Sequence, residues 1–195
     1  MRRHTPEHRR GLSRRAVLGA TMMLAAAPAM AADHPSIAYM KQFAKEMLNA
    51  HRQGTVGSFR KVIERHADVA AIADYSLGQY RKKLPAGQKQ RYYGGVVTFM
   101  SRYFADQSRI YPIAKYEIGD AAADDGEVVI NSKVYLLSGQ SYTVVWRLSK
   151  NGSRYKVRDA KVLGFSMVYM QRGLFTSFIS KRNGDVEQLV AALTR

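Results

Sequence analysis

The spacing of apolar residues changes once in the middle of this chain, and that change limits its possible folds more than any other feature. Before Tyr111-Pro112, apolar residues recur every three or four positions, as in amphipathic helices. After it they alternate with polar residues, as in strands that bury one face. Helical spacing returns near Gln171. The sequence therefore predicts an α+β fold in which helices cover a twisted antiparallel sheet.

Four helices are predicted before the change. The first covers residues 36–52 and ends before Gly54, and the fourth covers about residues 88–107. Ser58 is predicted to cap the second helix and Asp68 the third, because both residue types accept hydrogen bonds from the first turn of a helix. The fourth helix carries unusually large side chains on one face, among them Phe99, Met100 and Tyr103.

Four strands are predicted over residues 115–118, 127–137, 141–149 and 154–159, with a further apolar segment over residues 165–169. Turn residues separate them, and Asn151-Gly152 is a strong hairpin signal. The short connections favour a meander of about four to five strands. Two helices, over residues 171–181 and 185–193, are predicted to complete a single domain from Ala32 to Arg195.

The first 31 residues have the pattern of a cleaved export signal. Arginines precede an uncharged run over residues 16–27, and Ala29-Met30-Ala31 provides small residues where a signal peptidase cuts. The run is too short for a membrane anchor. Ser13-Arg14-Arg15 resembles the twin-arginine export motif, with the general export route as the alternative. These features predict a soluble periplasmic protein that begins at Ala32.

The exported part of the chain is strongly basic and contains no cysteine. Without the six Arg residues and Glu7 of the signal, the formal net charge falls only from +16 to +11. Such an excess draws a protein towards anionic surfaces, and export favours anionic lipid over nucleic acid. The absence of cysteine excludes disulfides and thiol chemistry.

Catalytic and metal-binding patterns are weak in this sequence. His34, His51 and His66 lack the spacing of metal ligands, and no metal or cofactor is predicted. The segment around Ser166 lacks the second glycine of a nucleophile elbow. Asp159 is a candidate general base, but the favoured interpretation is an ion pair with Arg172 that fixes the last strand to the following helix. The sequence thus favours a protein that is not an enzyme.

Gly94-Gly95 lies inside the fourth predicted helix. Because it lacks the spacing of a phosphate-binding loop, close packing against another helix is the better explanation.

Alternation along the strands places large apolar side chains on one face of the predicted sheet, opposite the fourth helix. In most proteins such residues fill each other's space as a core. The candidate wall of a binding cavity is Phe99, Tyr103, Val134, Leu136, Val144, Trp146, Phe165, Met167 and Tyr169.

The end of the predicted sheet carries a more specific pattern. Tyr155-Lys156-Val157-Arg158-Asp159 is followed by Gly164-Phe165-Ser166-Met167-Val168 and then by Arg172 and Phe175. Together with Val144-Val145-Trp146-Arg147-Leu148 upstream, this order of residues resembles the MlaC (toluene-tolerance) family of periplasmic phospholipid carriers. Weaker similarity extends over about residues 59–193.

The resemblance implies a soluble periplasmic carrier that moves phospholipid between an outer-membrane lipoprotein complex and an inner-membrane ABC transporter. It implies transient contact with membranes, a role in outer-membrane lipid asymmetry, and a pocket between sheet and helices in which acyl chains lie. Two alternatives stay open: an enzyme for a small hydrophobic molecule with Asp159 as base, and a basic periplasmic adaptor with a solid core.

Overall fold

Five antiparallel strands form one sheet in chain order, which is the meander predicted from the sequence. The computed structural model describes residues 35–124, 126–151 and 154–195. The predicted export signal lies outside these residues, as do parts of the turns at Asp124-Asp125-Gly126 and Asn151-Gly152. The strands are β1 Ile113–Asp124, β2 Glu127–Leu136, β3 Ser141–Asn151, β4 Arg154–Val162 and β5 Phe165–Ser166.

Helices precede and follow the sheet, which confirms the predicted α+β class. Two short 3₁₀ helices, Gly78–Lys83 and Ala86–Gln88, connect the third helix to the fourth. The helices are α1 Pro35–Gln53, α2 Val56–His66, α3 Val69–Ser76, α4 Lys89–Ile110, α5 Met167–Ser180 and α6 Val186–Leu193.

One face of the sheet is apolar because alternate residues of each strand point towards the helices. In β2 this face is Val128, Ile130, Ser132, Val134 and Leu136, all buried. The register continues the face sideways, since Ser132 lies opposite Val144 and Ile130 opposite Trp146. The helices α1, α2 and α4 pack over one part of this face, and α3, α5 and α6 form a second core with the start of α4.

Two helix starts differ from the prediction. Thr55 and not Ser58 caps α2, because the Thr55 hydroxyl accepts the Ser58 N–H at 3.1 Å. Helix α5 begins at Met167 and not at Gln171, since the Ser166 hydroxyl accepts the Tyr169 N–H at 3.0 Å. Ser166 therefore has the structural role that was favoured over a nucleophile. The predicted cap at Asp68 is confirmed by its bond to the Ala71 N–H.

Gly95 allows α6 to pack directly against α4. A Cβ atom built on Gly95 would lie 2.8 Å from Cβ of Leu193, whereas one on the exposed Gly94 meets nothing within 4 Å. We expect Gly95→Ala to lower the free energy of unfolding by about 1–3 kcal/mol through overpacking. Gly94→Ala should raise it by up to about 1 kcal/mol, because alanine favours helix. Urea denaturation of both variants checks this, and equal effects would contradict the close approach.

Candidate functional site

A chamber of about 610 Å³ lies between the apolar face of the sheet and the helices α1 and α4. We call it the large chamber. Its floor is formed by alternate residues of β1, β2 and β3, and its roof by side chains such as Phe43 and Met47 of α1 and Tyr103 and Phe104 of α4. The floor residues are Tyr116, Ile118, Ser132, Val134, Leu136, Tyr142, Val144 and Trp146. A volume of this size falls within the range of ligand sites in proteins, roughly 300–1,000 Å³.

A second space of about 120 Å³, the small chamber, continues from the first towards α3 and α5. It is lined by side chains from α4, such as Phe99 and Met100, and from α5, such as Met170 and Leu174. Several residues line both spaces, so the two are contiguous. The shared residues are Phe43, Met47, Tyr103, Phe104, Trp146, Ala160 and Met167.

Seven of the nine predicted wall residues line these chambers. Phe99 lines the small one, and the six others line the large one: Tyr103, Val134, Leu136, Val144, Trp146 and Met167.

Phe165 and Tyr169 line neither chamber and are 68% and 66% exposed. Leu163 and Gly164 adopt positive φ values of 51° and 87°, and this turn directs Phe165 outwards. Because the helix already begins at Met167, its inward positions follow helical spacing through Gln171 and Leu174, and Tyr169 falls on the other side.

The only tryptophan, Trp146, has its polar atom satisfied by the sheet itself. Its indole N–H donates to the Ser132 hydroxyl at 2.8 Å, and that hydroxyl lies 3.3 Å from the Val144 carbonyl. The ring packs edge-on against Phe43, with 5.1 Å between ring centroids. The large chamber therefore has no unpaired indole N–H, and its surface at this point is apolar.

Asp159 fixes β4 to α5, but not through the predicted ion pair with Arg172. Its Oδ1 accepts the N–H groups of Ala160 at 2.8 Å and of Val168 at 3.1 Å. The Arg172 guanidinium instead lies over the Tyr75 ring, 4.9 Å from its centroid. In the described part of the chain no ion pair joins the two residues. The hydrogen bond from the Val168 N–H, in the first turn of α5, provides the anchoring that the sequence predicts for Arg172.

His51 lies at the wall of the large chamber, where its Nε2 accepts the Ile113 N–H at 3.0 Å. Only the neutral imidazole can accept this bond. Burial lowers the pKa of His51 below its ordinary value of 6.5. The His51 imidazole therefore takes up a proton at a higher pH in the unfolded chain than in the folded chain. Folding stability is lost as the pH falls below about 6.5.

We therefore expect the free energy of unfolding to fall between about pH 7.5 and pH 5.5. In His51→Gln this fall should be smaller, because glutamine can accept the same bond and does not titrate. Chemical denaturation at the two pH values measures the difference. An identical pH dependence in the variant would show that His51 is not responsible.

The mouth of the large chamber is marked by lining residues that are also exposed. Tyr111 at the end of α4 is 50% exposed and Leu163 at the β4–β5 turn is 69% exposed. Ile110, which precedes Tyr111, is 61% exposed, and Leu137 is 71% exposed. Leu137 lies close to both because its N–H donates to the Pro112 carbonyl. The exposed apolar residues at this end of the sheet form a rim, which we call the apolar rim.

Sequence reasoning missed the contribution of α1 to the site. Phe43 and Met47 lie one helical turn apart and line both chambers. Their spacing identified a buried face but not what that face covers. Tyr116 lies within the strand predicted over residues 115–118, but those four residues are too few to show which face of the longer β1, Ile113–Asp124, is buried.

Other kinds of site are not evident in the described part of the chain. No group of three His, Cys, Asp or Glu residues there has metal-binding geometry. Within those same residues, no helix has the length and hydrophobicity needed to cross a bilayer. His66 is buried and joins two elements, with Nε2 3.1 Å from Glu46 and Nδ1 3.2 Å from the Tyr39 hydroxyl. This histidine is structural.

Comparisons with known proteins agree with this architecture. The fold is similar to that of a phospholipid-binding protein from Ralstonia solanacearum, solved in complex with a phospholipid. The TM-score is 0.62 at 22% sequence identity, and the match covers 83% of this chain and 95% of the other. No curated protein matches the sequence. The family model described as MlaC protein matches residues 37–195, and the chain therefore belongs to the MlaC family.

Proposed function

We propose that this protein is a periplasmic phospholipid carrier that holds acyl chains in the two chambers. The observation that carries the proposal is the large chamber, whose floor is the apolar face of the sheet. Its open space favours a carrier over the alternative of a basic adaptor with a solid core. Membership of the MlaC family and the similarity to a protein solved with a phospholipid support the same choice of ligand.

The energetics of such a carrier require exchange more than tight binding. Removing acyl chains from water is worth about 0.8 kcal/mol per methylene, but a lipid in a bilayer already has that gain. The protein therefore needs only to provide an equally dry surface. The floor residues Val134, Leu136 and Val144 are all less than 9% exposed, and the Trp146 N–H is satisfied. At these floor residues, little polar surface has to lose water when acyl chains enter.

The apolar rim provides a route by which lipid reaches the chamber. Leu163 and Tyr111 are both exposed and in the chamber lining, so apolar surface continues from outside to inside. An acyl chain that follows this surface avoids full exposure to water. The net charge of +11 expected after removal of the signal would assist docking on anionic membranes or acidic protein surfaces. Added salt should weaken that docking.

The wider transport role is inferred from the export signal and the family together. In this proposal the protein is exported to the periplasm and moves phospholipid between an outer-membrane lipoprotein complex and an inner-membrane ABC transporter. The chain itself performs no covalent chemistry in this role. The Asp159 carboxylate is engaged by two backbone N–H groups, which supports anchoring over action as a base.

Native mass spectrometry of the purified protein tests the proposal. We expect masses that correspond to the protein with bound phospholipid, and lipid extraction should identify the headgroup. Trp146 offers a second measurement, because the chain has one tryptophan and it lines both chambers. Phospholipid brominated on its acyl chains should quench the fluorescence of Trp146. Repeated preparations without lipid, together with no quenching on mixing with vesicles, would exclude the carrier role.

A further inference from the structure

Three arginines line a depression of about 430 Å³ on the side of α3 and α5 that faces away from the chambers. We call it the arginine pocket. Arg81 comes from the 3₁₀ helix after α3, Arg158 from β4 and Arg172 from α5. One carboxylate, Asp74, stands among its lining residues. Three guanidinium groups against one carboxylate make the lining cationic.

Arg172 is held in place by its neighbours but has no acidic partner among the residues that the structure describes. Its Cζ lies 4.9 Å from the centre of the Tyr75 ring. A Cβ atom on Gly78, which has φ +53°, would be 3.0 Å from Nε of Arg172, so the guanidinium rests directly on this glycine. Among the described residues no carboxylate oxygen lies within 4.0 Å of the Arg172 side chain. A positioned guanidinium of this kind retains free N–H donors.

The other two arginines are only partly neutralised. Arg81 is 2.6 Å from Asp74, whose second oxygen accepts the Tyr93 hydroxyl at 2.8 Å. Arg158 is 3.0 Å from Glu127 and 4.0 Å from Asp68, and both acids lie outside the pocket lining. Each guanidinium carries five N–H donors, and these contacts use only some of them. The arginine pocket thus has more cationic donors than its own acids can accept.

The arginine pocket is separate from the two chambers. Neighbouring residues on the same helices divide between them: Ile72 and Gln171 line the small chamber, while Ala71 and Arg172 line the arginine pocket. A hydrogen bond of 2.8 Å from Gln171 to Ser76 ties α3 to α5 between the two spaces. A ligand in the arginine pocket therefore does not occupy the space proposed for acyl chains.

We propose that the arginine pocket binds a phosphate oxyanion. A carboxylate has two oxygens and is satisfied by a single guanidinium fork, whereas a phosphate presents several acceptor oxygens in a tetrahedral arrangement. Three guanidinium groups from three different elements suit the second geometry. The phosphate of a lipid headgroup and free phosphate share this chemistry. The inference goes beyond the proposed carrier function, because it concerns a different surface of the molecule.

Inorganic phosphate titrated into the full protein, followed by NMR of the arginine side-chain N–H groups, tests the proposal. We expect saturable shifts at Arg172 and Arg81, and Arg172→Gln should weaken phosphate binding at least about tenfold. The matched control is Arg109→Gln, because Arg109 is exposed and forms only a long ion pair, at 3.8 Å, with Asp106. Arg81→Gln provides a second variant at a side chain that is 64% exposed. Equal phosphate affinity in Arg172→Gln, Arg81→Gln and wild type would overturn the proposal.

A competition experiment distinguishes the two sources of phosphate. Vesicles of phosphatidylcholine with phosphatidylglycerol are added to the protein saturated with inorganic phosphate. Loss of the Arg172 shifts supports a headgroup phosphate, and unchanged shifts support free phosphate. The carrier function is judged separately, since lipid retained in the chambers should be the same in Arg172→Gln and wild type. No saturable shift with either probe would reject the site, whatever the lipid content of the protein.

Discussion

Val144→Asp is expected to abolish retention of phospholipid while leaving the protein folded. Val144 is 4% exposed and lies on the floor of the large chamber. A chamber of about 610 Å³ has room for water, so in the empty protein the new carboxylate can be solvated. When acyl chains enter, that water leaves, and an unpaired charge then faces hydrocarbon at a cost of several kcal/mol. The bound lipid per protein should fall by at least about tenfold, since 1.4 kcal/mol is a factor of ten.

Val145→Asp is the matched control for this experiment. Val145 follows Val144 in β3 and points to the opposite face of the sheet, where its register partners are Asn131 and Lys161. The same carboxylate there meets a cation and not the chamber, so lipid content should stay at the wild-type level. Lipid extracted from equal amounts of each protein and quantified by mass spectrometry gives the comparison. A folded Val144→Asp protein that keeps its lipid would show that acyl chains do not lie on this floor.

The residues of the sheet that form the chamber could be predicted from the sequence because alternation is a local property. Val134 follows Lys133 and Val144 follows Thr143, so polar residues mark the face of the strand that is opposite to the chamber. The meander followed from short connections between strands. What alternation cannot give is the distance between the sheet and the helices. Whether the same side chains fill a core or line a cavity depends on that distance, and therefore on the fold.

The errors occur where local geometry interrupts the pattern. In β1 the register shifts between Ile118 and Ala121, just after the point where the predicted strand ends, although β1 continues to Asp124. Such irregularities move a residue to the other face and leave no clear mark in the sequence. The β4–β5 turn had the same effect on Phe165, because Leu163 adopts a positive φ that a sequence seldom reveals for leucine.

The prediction for Arg172 failed for a different reason. The predicted ion pair of Asp159 with Arg172 rests only on their opposite charges and their closeness in the sequence. At this point α5 instead meets β4 through a backbone N–H that donates to the Asp159 carboxylate. The guanidinium was free to lie against Gly78 and Tyr75, which are almost a hundred residues earlier in the chain. No periodicity links these positions. Long-range contacts of this kind come from the packing of α3 against α5.

Ala160→Phe is expected to remove lipid by filling space, without adding charge. Ala160 lines both chambers and lies opposite Trp146 in the β3–β4 register. A phenyl ring there would occupy the junction between the chambers and pack beside the indole. Cross-strand aromatic pairs stabilise a sheet by about 0.2–1 kcal/mol, and the open space avoids the usual cost of overpacking. The variant should therefore be at least as stable as wild type and retain several-fold less phospholipid.

Ala122→Phe tests whether the position of the ring matters, since Ala122 is exposed on β1 and lines neither chamber. It should keep the wild-type lipid content. Lipid analysis and urea denaturation on the two variants separate blocking from unfolding, because only a blocked chamber combines low lipid content with undiminished stability. If Ala160→Phe is folded and fully loaded, acyl chains do not pass the junction beside Trp146. The lipid would then be confined to one chamber. That chamber would be the large one, because the small one, at about 120 Å³, is too small to hold acyl chains alone.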